Sequence, residues 1–537
     1  YSFHINDFAS IGFGHRRLSV MDLSSMGNQP MKFENLEIVY NGEVYNYAEI
    51  KAVLEDSGYT FSSEGDTEVI LKAYHKWGID ALSRFNGMFA FAIYDKNSLK
   101  LTLARDRTGV KPLYWYHKDG ILMFSSELKS FHQNPKFRKE LDYEALSLYF
   151  TYGYIPQPYS IFKNTRKVSA ASYVEIDIKT QAVTEKVYWN IEDYYKKPKL
   201  RFSEEEILEQ LEALMESSFE YRMVSDVPVG MFLSGGYDSS CVSAILQKNR
   251  TSKIKTFTIG FHDDKFNEAE DAKKIAGYLG TDHTELYCSQ KDALEILPSL
   301  PHIFDEPFGD NSAIPTILVS RLARQSVTVS LSADGGDELF GGYKKYSHIM
   351  RVQKIKNLFP SFSHGVISKI LSNPALHALS RKTGIANAGS RMEKLSDIFG
   401  KSSRDILSIS SSVFTDKELD TFIKLERATK TVSQEKPSGM GLLDSMLAAD
   451  YKTYMADDIL VKVDRAGMSV SLEGREPLLD YRLAEFAAQL PENMKIRNGS
   501  KKYLIKKITH KYIPQSMMER PKKGFSAPIA TWLKEQM

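Results

Sequence analysis

The stretch VPVGMFLSGGYDSSCVSAIL, Val227 to Leu246, constrains the fold more than any other part of the chain. Its apolar run ending at Leu233 is short and glycine-bounded, so it reads as a strand, and a helical pattern follows at once. The same alternation continues: KTFTIGF as strand, EAEDAKKIAGYLG as helix, DHTELYC as strand, IPTILVSRLARQ as helix, SVTVSLS as strand. Strands that alternate with helices need crossover connections, which implies a parallel sheet. After about residue 350 the pattern is mainly helical.

Ligands of such a sheet bind at the carboxyl ends of its strands. The loop Ser234 to Ser240 lies there. Gly235 and Gly236 permit backbone conformations that let amide N–H groups converge on an anion. Ser239 and Ser240 add hydroxyls beside the positive end of a helix. No lysine follows the second glycine, so this is not a Walker A loop, and the spacing is not a dinucleotide fingerprint. Asp238 would repel a bare phosphate, which points to a polyphosphate bridged by Mg²⁺. The plain alternative is a strand–helix turn with a capping serine. It is weakened by a second loop, LSADGGDELFGGY, which also follows a strand and brings Asp334, Asp337 and Glu338 among four glycines.

Composition excludes several classes. Lysine and arginine number 70 against 68 aspartates and glutamates, so no overall basic charge supports a nucleic-acid surface. No apolar run reaches the roughly 18 residues of a membrane span. Cys241 and Cys288 are the only cysteines, which argues against a disulfide framework or a cysteine-rich metal site. Both read as small core residues.

Residues 1 to about 190 have another texture. Short β-type runs such as LEIVYNGEVYNY, GMFAFAIYD, KLTLARD and ILMFSSEL are separated by Gly, Asp and Asn turns. Two helical patterns, YAEIKAVLEDSG and DTEVILKAYHKWG, interrupt them. This predicts an α+β domain with mostly antiparallel strands. The polar segment from about 190 to 204 reads as a linker, and Ser203 as the N-cap of the helix that follows.

SGGYDSS resembles the pyrophosphate loop of the N-type ATP pyrophosphatases. With LSADGGDELFGGY and SLEGREPLLD (Ser471 to Asp480), it resembles the glutamine-hydrolysing asparagine synthetase family along almost the whole chain. The resemblance implies two domains. Residues 1–195 would be an α+β N-terminal-nucleophile glutaminase domain, a sandwich of antiparallel sheets. Residues 205–537 would be an α/β, Rossmann-like PP-loop ATP pyrophosphatase domain with a helical carboxyl-terminal part. It implies a cytoplasmic ligase that converts aspartate to asparagine through β-aspartyl-AMP, using ATP, Mg²⁺ and ammonia from glutamine. The partners implied are these small molecules, without nucleic acid or membrane, and a homodimer is the candidate assembly.

In the second domain the resemblance assigns Leu233, Ser234, Gly235, Gly236, Asp238, Ser239, Ser240, Ile259, Ser332 and Ala333 to ATP. It assigns Asp238 and Asp337 to Mg²⁺, and Asp334, Lys522 and Glu473 to catalysis, with Lys523 as the neighbouring candidate. Asp334 stands where the family usually has glutamate, a change of reach that bears on the acceptor. Asp457, Asp458, Lys462, Asp464, Arg465, Glu473 and Arg475 are expected to form a buried network lining the acceptor pocket, or helix-face ion pairs. Glu473 and Arg475 could instead orient the loop ending at Asp480.

In the first domain GHRRLSVMD, NGEVYNY and EGDTEVI carry the resemblance. Arg17 is assigned to the glutamine α-carboxylate, which a guanidinium fork suits. Leu18, Ser19, Val20 and Met21 are assigned to the backbone around it, and Glu43 and Asp66 to the α-ammonium. Asn41 and Gly42 are assigned to the oxyanion hole; on its own, NG reads as a hairpin turn. The family's nucleophile is an amino-terminal cysteine, expected on a preceding segment of a few tens of residues, and the carboxyl terminus is expected to extend further too. Two other readings remain open: amidation of another carboxylate, such as a uronic acid of a surface polysaccharide, and a non-catalytic nucleotide-binding paralogue.

Overall fold

The computed structural model describes residues 1–248, 250–262, 267–373 and 439–520, with positions 376, 396, 399–400, 412–414, 418–419 and 421 between the last two. The amino-terminal part begins with a hairpin, β1 (Ser2–Ile5) and β2 (Ser10–Phe13). A six-stranded antiparallel sheet follows, in the order β11 (Val183–Val187), β10 (Ser172–Asp177), β6 (Lys100–Arg105), β5 (Gly87–Asp95), β4 (Leu36–Val44), β3 (Met31–Phe33). A three-stranded sheet, β8 (Ile121–Ser125), β7 (Tyr114–Lys118), β9 (Thr165–Lys167), covers one face of it.

The central strands β4 and β5 are apolar on both faces, and strand periodicity sorts their side chains. Phe89, Phe91 and Ile93 join Ile38 and Tyr40 beneath the helices Tyr47–Glu55 and Asp66–Trp77. Ala90, Ala92 and Tyr94 join Val39, Leu103, Leu113 and Trp115 between the two sheets. That explains why GMFAFAIYD is a continuous apolar run in an antiparallel sheet, where one solvated face would give alternation.

The second part is built on a five-stranded sheet in the order β14 (Asp282–Cys288), β13 (Lys255–Phe261), β12 (Val229–Phe232), β15 (Val329–Leu331), β16 (Glu473–Arg475). Every neighbouring pair is parallel, as the strand–helix alternation predicts. The edge strand β16 comes from far along the chain and is written EGR, so no periodicity announces it. Cys241 and Cys288 are buried in two separate apolar clusters of this part, and burial pushes both thiols up to about 12, which fits inert core residues.

The segment expected to be a linker is folded. Ile191 and Tyr195, on the short helix Ile191–Tyr195, are buried with Ile207 and Leu211 of the helix Glu204–Met223. Leu200 N donates to Gln489 O at 3.0 Å, and Lys199 pairs with Asp444 at 2.6 Å. Ser203 caps its helix as expected, in a full capping box with Glu206. Buried polar contacts join the two parts: Lys111 to Asp464 at 3.0 Å, Lys167 to Glu306 at 2.7 Å, and Asn86 Nδ2 donating to Asp480 Oδ2 at 2.9 Å. Among the described residues no helix is long and apolar enough to cross a membrane.

Candidate active sites

The two glycine-rich loops meet. Both follow carboxyl ends of adjacent parallel strands, β12 and β15, and they wall a cavity of about 600 Å³. Leu233, Ser234, Gly235, Gly236, Asp238, Ser239, Ile259, Ser332, Ala333, Asp334 and Asp337 all line it. Gly235 has φ +72°, and a side chain there would strike the Arg520 guanidinium, so the loop path depends on glycine. Ser234 N donates to Ser239 Oγ at 3.2 Å, which folds the loop over the first turn of the helix Tyr237–Lys248.

Ser240 departs from its assignment. Its side chain is fully buried away from the cavity lining, and its N–H donates to Gly236 O within the helix. Successive helical residues point about 100° apart, so Ser239 can face the cavity only if Ser240 turns inward.

Asp238 and Asp337 converge on one cation, the Lys502 ammonium, which contacts Asp238 and lies 2.6 Å from Asp337. Burial opposes charge on Lys502, but the two carboxylates outweigh it and hold the ammonium. A Cβ on Gly336 would clash with Asp238, and one on Gly342 with Asp337, so these glycines make room for the pair. Lys502 was not foreseen; a lysine inside KKYLIKK looks like a solvated helix face. Arg520 is a second addition: it donates to Gly235 O at 2.5 Å and contacts Asp271, clamping the loop from outside. Lys522 and Lys523 lie outside the described residues.

Asp334 is half-buried in the cavity wall, and desolvation there raises its pKa against the opposing pull of Lys462. Its Oδ2 accepts from Ser332 Oγ at 2.5 Å. Lys462 donates to Asp310 at 2.8 Å and to Ser312 at 2.9 Å on the same cavity wall.

The rest of the network expected around the acceptor does not line the cavity. Asp457 accepts from Gln157 N at 3.0 Å, Asp464 pairs with Lys111, and Arg465 donates to Ser126 O at 2.7 Å, all three turned to the amino-terminal part. Asp458 is buried, and burial followed by the charge of Asp310 pushes it up to about 8. Glu473 and Arg475 also face that boundary, because residues two apart on a strand share a face. Arg475 Nε donates to Glu473 at 2.8 Å, and its Nη1 holds the carbonyls of Arg222 and Val224. The two therefore stand outside the cavity walled by the glycine-rich loops. Asp480, at the end of the same segment, is held well below the usual carboxylate range; burial would raise it, but Arg222 and Arg482 outweigh that.

In the amino-terminal part Asn41 and Gly42 are not in a hairpin turn. They lie inside β4, opposite Ala90 and Phe89. Gly42 has φ +142°, and a Cβ would stand 2.0 Å from Met88 O, so no other residue fits. Asn41 Nδ2 donates to Ser126 Oγ at 3.3 Å. Asp66 accepts from Tyr40 OH at 2.7 Å and Val44 N at 2.8 Å, and Glu43 lies 3.8 Å from Arg475. Glu43 is raised well above the usual range by burial, then by Asp66 and Glu473. These carboxylates outnumber their cationic partner, a surplus that a bound ammonium would relieve. The Arg17 fork is turned onto its own loop and donates to Met21 O at 2.5 Å and Asp22 O at 2.6 Å. Leu18 and Ser19 are half-buried, while Val20 and Met21 are buried, and Val20 O accepts from Asp226 N of the second part.

Comparison with known proteins agrees with both halves. Residues 210–537 match the model of the asparagine synthase family, and residues 3–189 that of a glutamine amidotransferase domain. Asparagine synthetase (glutamine-hydrolyzing) 1 of Bacillus subtilis is 34% identical over 538 residues, 98% of this chain and 81% of that protein. Asparagine synthetase (glutamine-hydrolyzing) 3 of the same organism is 28% identical, over 97% of this chain and 82% of its own length. Amidase chry2 of Gibberella zeae is 25% identical, over 98% of this chain and 82% of its own. Two loops at neighbouring strand ends, an amidotransferase sandwich and these matches together show that the chain belongs to the glutamine-hydrolysing asparagine synthetase family of carbon–nitrogen ligases.

Proposed function

We propose that this ligase amidates L-aspartate to L-asparagine, cleaving ATP to AMP and pyrophosphate and taking its nitrogen from glutamine. The observation that carries the reading is the pair Asp238 and Asp337 facing one ammonium where two glycine loops meet. Two carboxylates beside a phosphate loop fit Mg²⁺, which is typically held by one or two carboxylates plus substrate phosphates and neutralises phosphate charge when bound. Among the described residues no group of three or more His, Cys, Asp or Glu could hold a metal, which accords with a Mg²⁺ whose remaining ligands are phosphate and water oxygens.

The chain's own residues then have defined tasks. Gly235, Gly236 and Ser239 hold the β- and γ-phosphates, with Lys502 balancing charge on the departing pyrophosphate. The aspartate side-chain carboxylate attacks the α-phosphorus, and the bond to the β-phosphate oxygen breaks. Ammonia next attacks the acyl carbon, AMP leaves with its bonding pair, and the proton passes to a nearby base, a role that the raised pKa of Asp334 supports. Positioning and electrostatics carry most of this chemistry. In the first domain Asn41 and the Gly42 N–H stabilise the oxyanion of glutamine hydrolysis, while Glu43 and Asp66 hold the α-ammonium and Arg17 the α-carboxylate.

A second reading, amidation of a different carboxylate, is favoured by Asp334, whose short side chain is drawn back onto Ser332. The test uses the full-length gene product with ATP, Mg²⁺ and either glutamine or ammonium. Aspartate and a panel of uronic acids are offered in turn, and products are read by mass spectrometry. Asparagine with AMP and pyrophosphate is expected, and Asp238→Asn should abolish it with either nitrogen source. AMP formation with a uronic acid alone would establish the second reading, and ADP in place of AMP would overturn the nucleotide chemistry.

A further inference from the structure

The amide of Asn41 has two N–H groups, and only one can serve an oxyanion. The other donates to Ser126 Oγ at 3.3 Å. That distance is near the long end for a hydrogen bond, so a shift of Ser126 by a few tenths of an ångström decides whether the bond exists. Ser126 directly follows β8, and what holds it belongs to the second domain. Arg465 Nη2 donates to Ser126 O at 2.7 Å, while Arg465 Nη1 pairs with the next residue, Glu127, at 3.0 Å. The guanidinium thus grips two consecutive residues. It is itself buried, lying 3.7 Å from Asp305 and over the Tyr114 ring.

Arg465 sits on the helix Leu460–Met468, one turn after Lys462, whose ammonium holds Asp310 and Ser312 at the wall of the nucleotide cavity. Asp464, beside it, is tied to Lys111 of the first domain. One short helix therefore carries a cavity-wall lysine and, one turn further on the same side, the clamp on the glutamine site. A guanidinium suits the clamp because its planar fork donates in two directions at once, which a lysine cannot copy.

We propose that Arg465 is a positioning residue for glutamine hydrolysis: acting through Ser126, it fixes the rotation of the Asn41 amide, so the second domain completes the first domain's site. This rests on the assignment of Asn41 to the oxyanion hole. The amide must present its N–H where negative charge develops, and a donor free to rotate loses much of its effect in the transition state.

The test uses the full-length gene product and compares glutamate release from glutamine with amidation from ammonium. Asn41→Ala should lower glutamine turnover at least a hundredfold. Ser126→Ala, which retains the carbonyl that Arg465 holds, should lower kcat for glutamine about tenfold with KM changed less than twofold. Arg465→Gln should do the same, and Arg465→Lys should recover part of the loss. The double variant Ser126→Ala with Arg465→Gln should lose no more than the worse single one, because both act through one bond. Unchanged glutamine kcat in Ser126→Ala, a parallel fall in ammonium-dependent amidation, or fully multiplicative losses would each overturn the link. Glutamine turnover surviving in Asn41→Ala would remove its premise instead, which separates failure of the link from failure of the site assignment.

Discussion

At the scale of single residues, Lys502 sets the charge balance of the proposed phosphate site. Its ammonium neutralises two carboxylates that would otherwise repel each other and, in the proposed function, the phosphates of ATP. Lys502→Met should therefore slow pyrophosphate release with ammonium as nitrogen donor by about a hundredfold or more, the usual effect of losing one charge-stabilising donor. Less than a threefold change would sink that role. Buried acids give a pH prediction. Burial pushes Asp457 up to about 6, and Asp458 and Glu476 up to about 8. Between an unfolded pKa near 4 and these values the folded chain binds more protons than the unfolded one, so stability falls as pH rises. Asp480 has the opposite sign, but its contribution is lost only as pH falls below about 4, outside that window. Half-buried His15, His132, His283 and His510 are lowered and act the other way below about pH 6.5, so the unliganded protein should show a Tm that declines from about pH 6.5 to pH 8, and Asp458→Asn should flatten the decline. A Tm that climbs over this range would contradict the burial argument.

At the scale of elements, local chemistry was legible where it is written in sequence-adjacent residues. The capping box at Ser203 and Glu206, the helix after SGG and the parallel order of β12 to β15 follow from capping preferences and hydrophobic period. Ser203→Ala should cost about 1 kcal/mol, read as a lower Tm, and Ser203→Asp should restore it; equal Tm values for all three would mean that the cap contributes nothing. The strand EGR was not legible, because Glu473 and Arg475 satisfy each other inside the protein and so carry no apolar signature. NG in β4 misleads for a similar reason: its glycine is needed for close approach to Met88 O, not for a turn. Which polar residue of a helix faces which domain also escaped, since Lys462, Asp464 and Arg465 look alike until the partner surfaces are known.

At the scale of the whole molecule, buried ion pairs cross the boundary between the halves beside the apolar contacts of Tyr45, Met88 and Val110. Lys111 and Asp464 illustrate the energetics: removing one partner leaves a charge without water or counter-ion. Lys111→Met should destabilise the protein by about 3–5 kcal/mol, and adding Asp464→Leu should recover most of it. Thermal unfolding of the three variants checks this, and a double variant as unstable as the single one would show that the boundary needs the pair itself. The chain's path across the boundary has a practical side. Tyr188 still belongs to the first half, its N–H donating to Ala171 O and its hydroxyl to Arg105 O, whereas the Trp189 ring N–H donates to Glu485 of the second. If the gene were divided into two separately expressed pieces, the cut should fall between those two codons. A downstream piece starting at Glu204 would uncover Leu211 and its neighbours; one starting at Trp189 would keep Ile191 and Tyr195 over them.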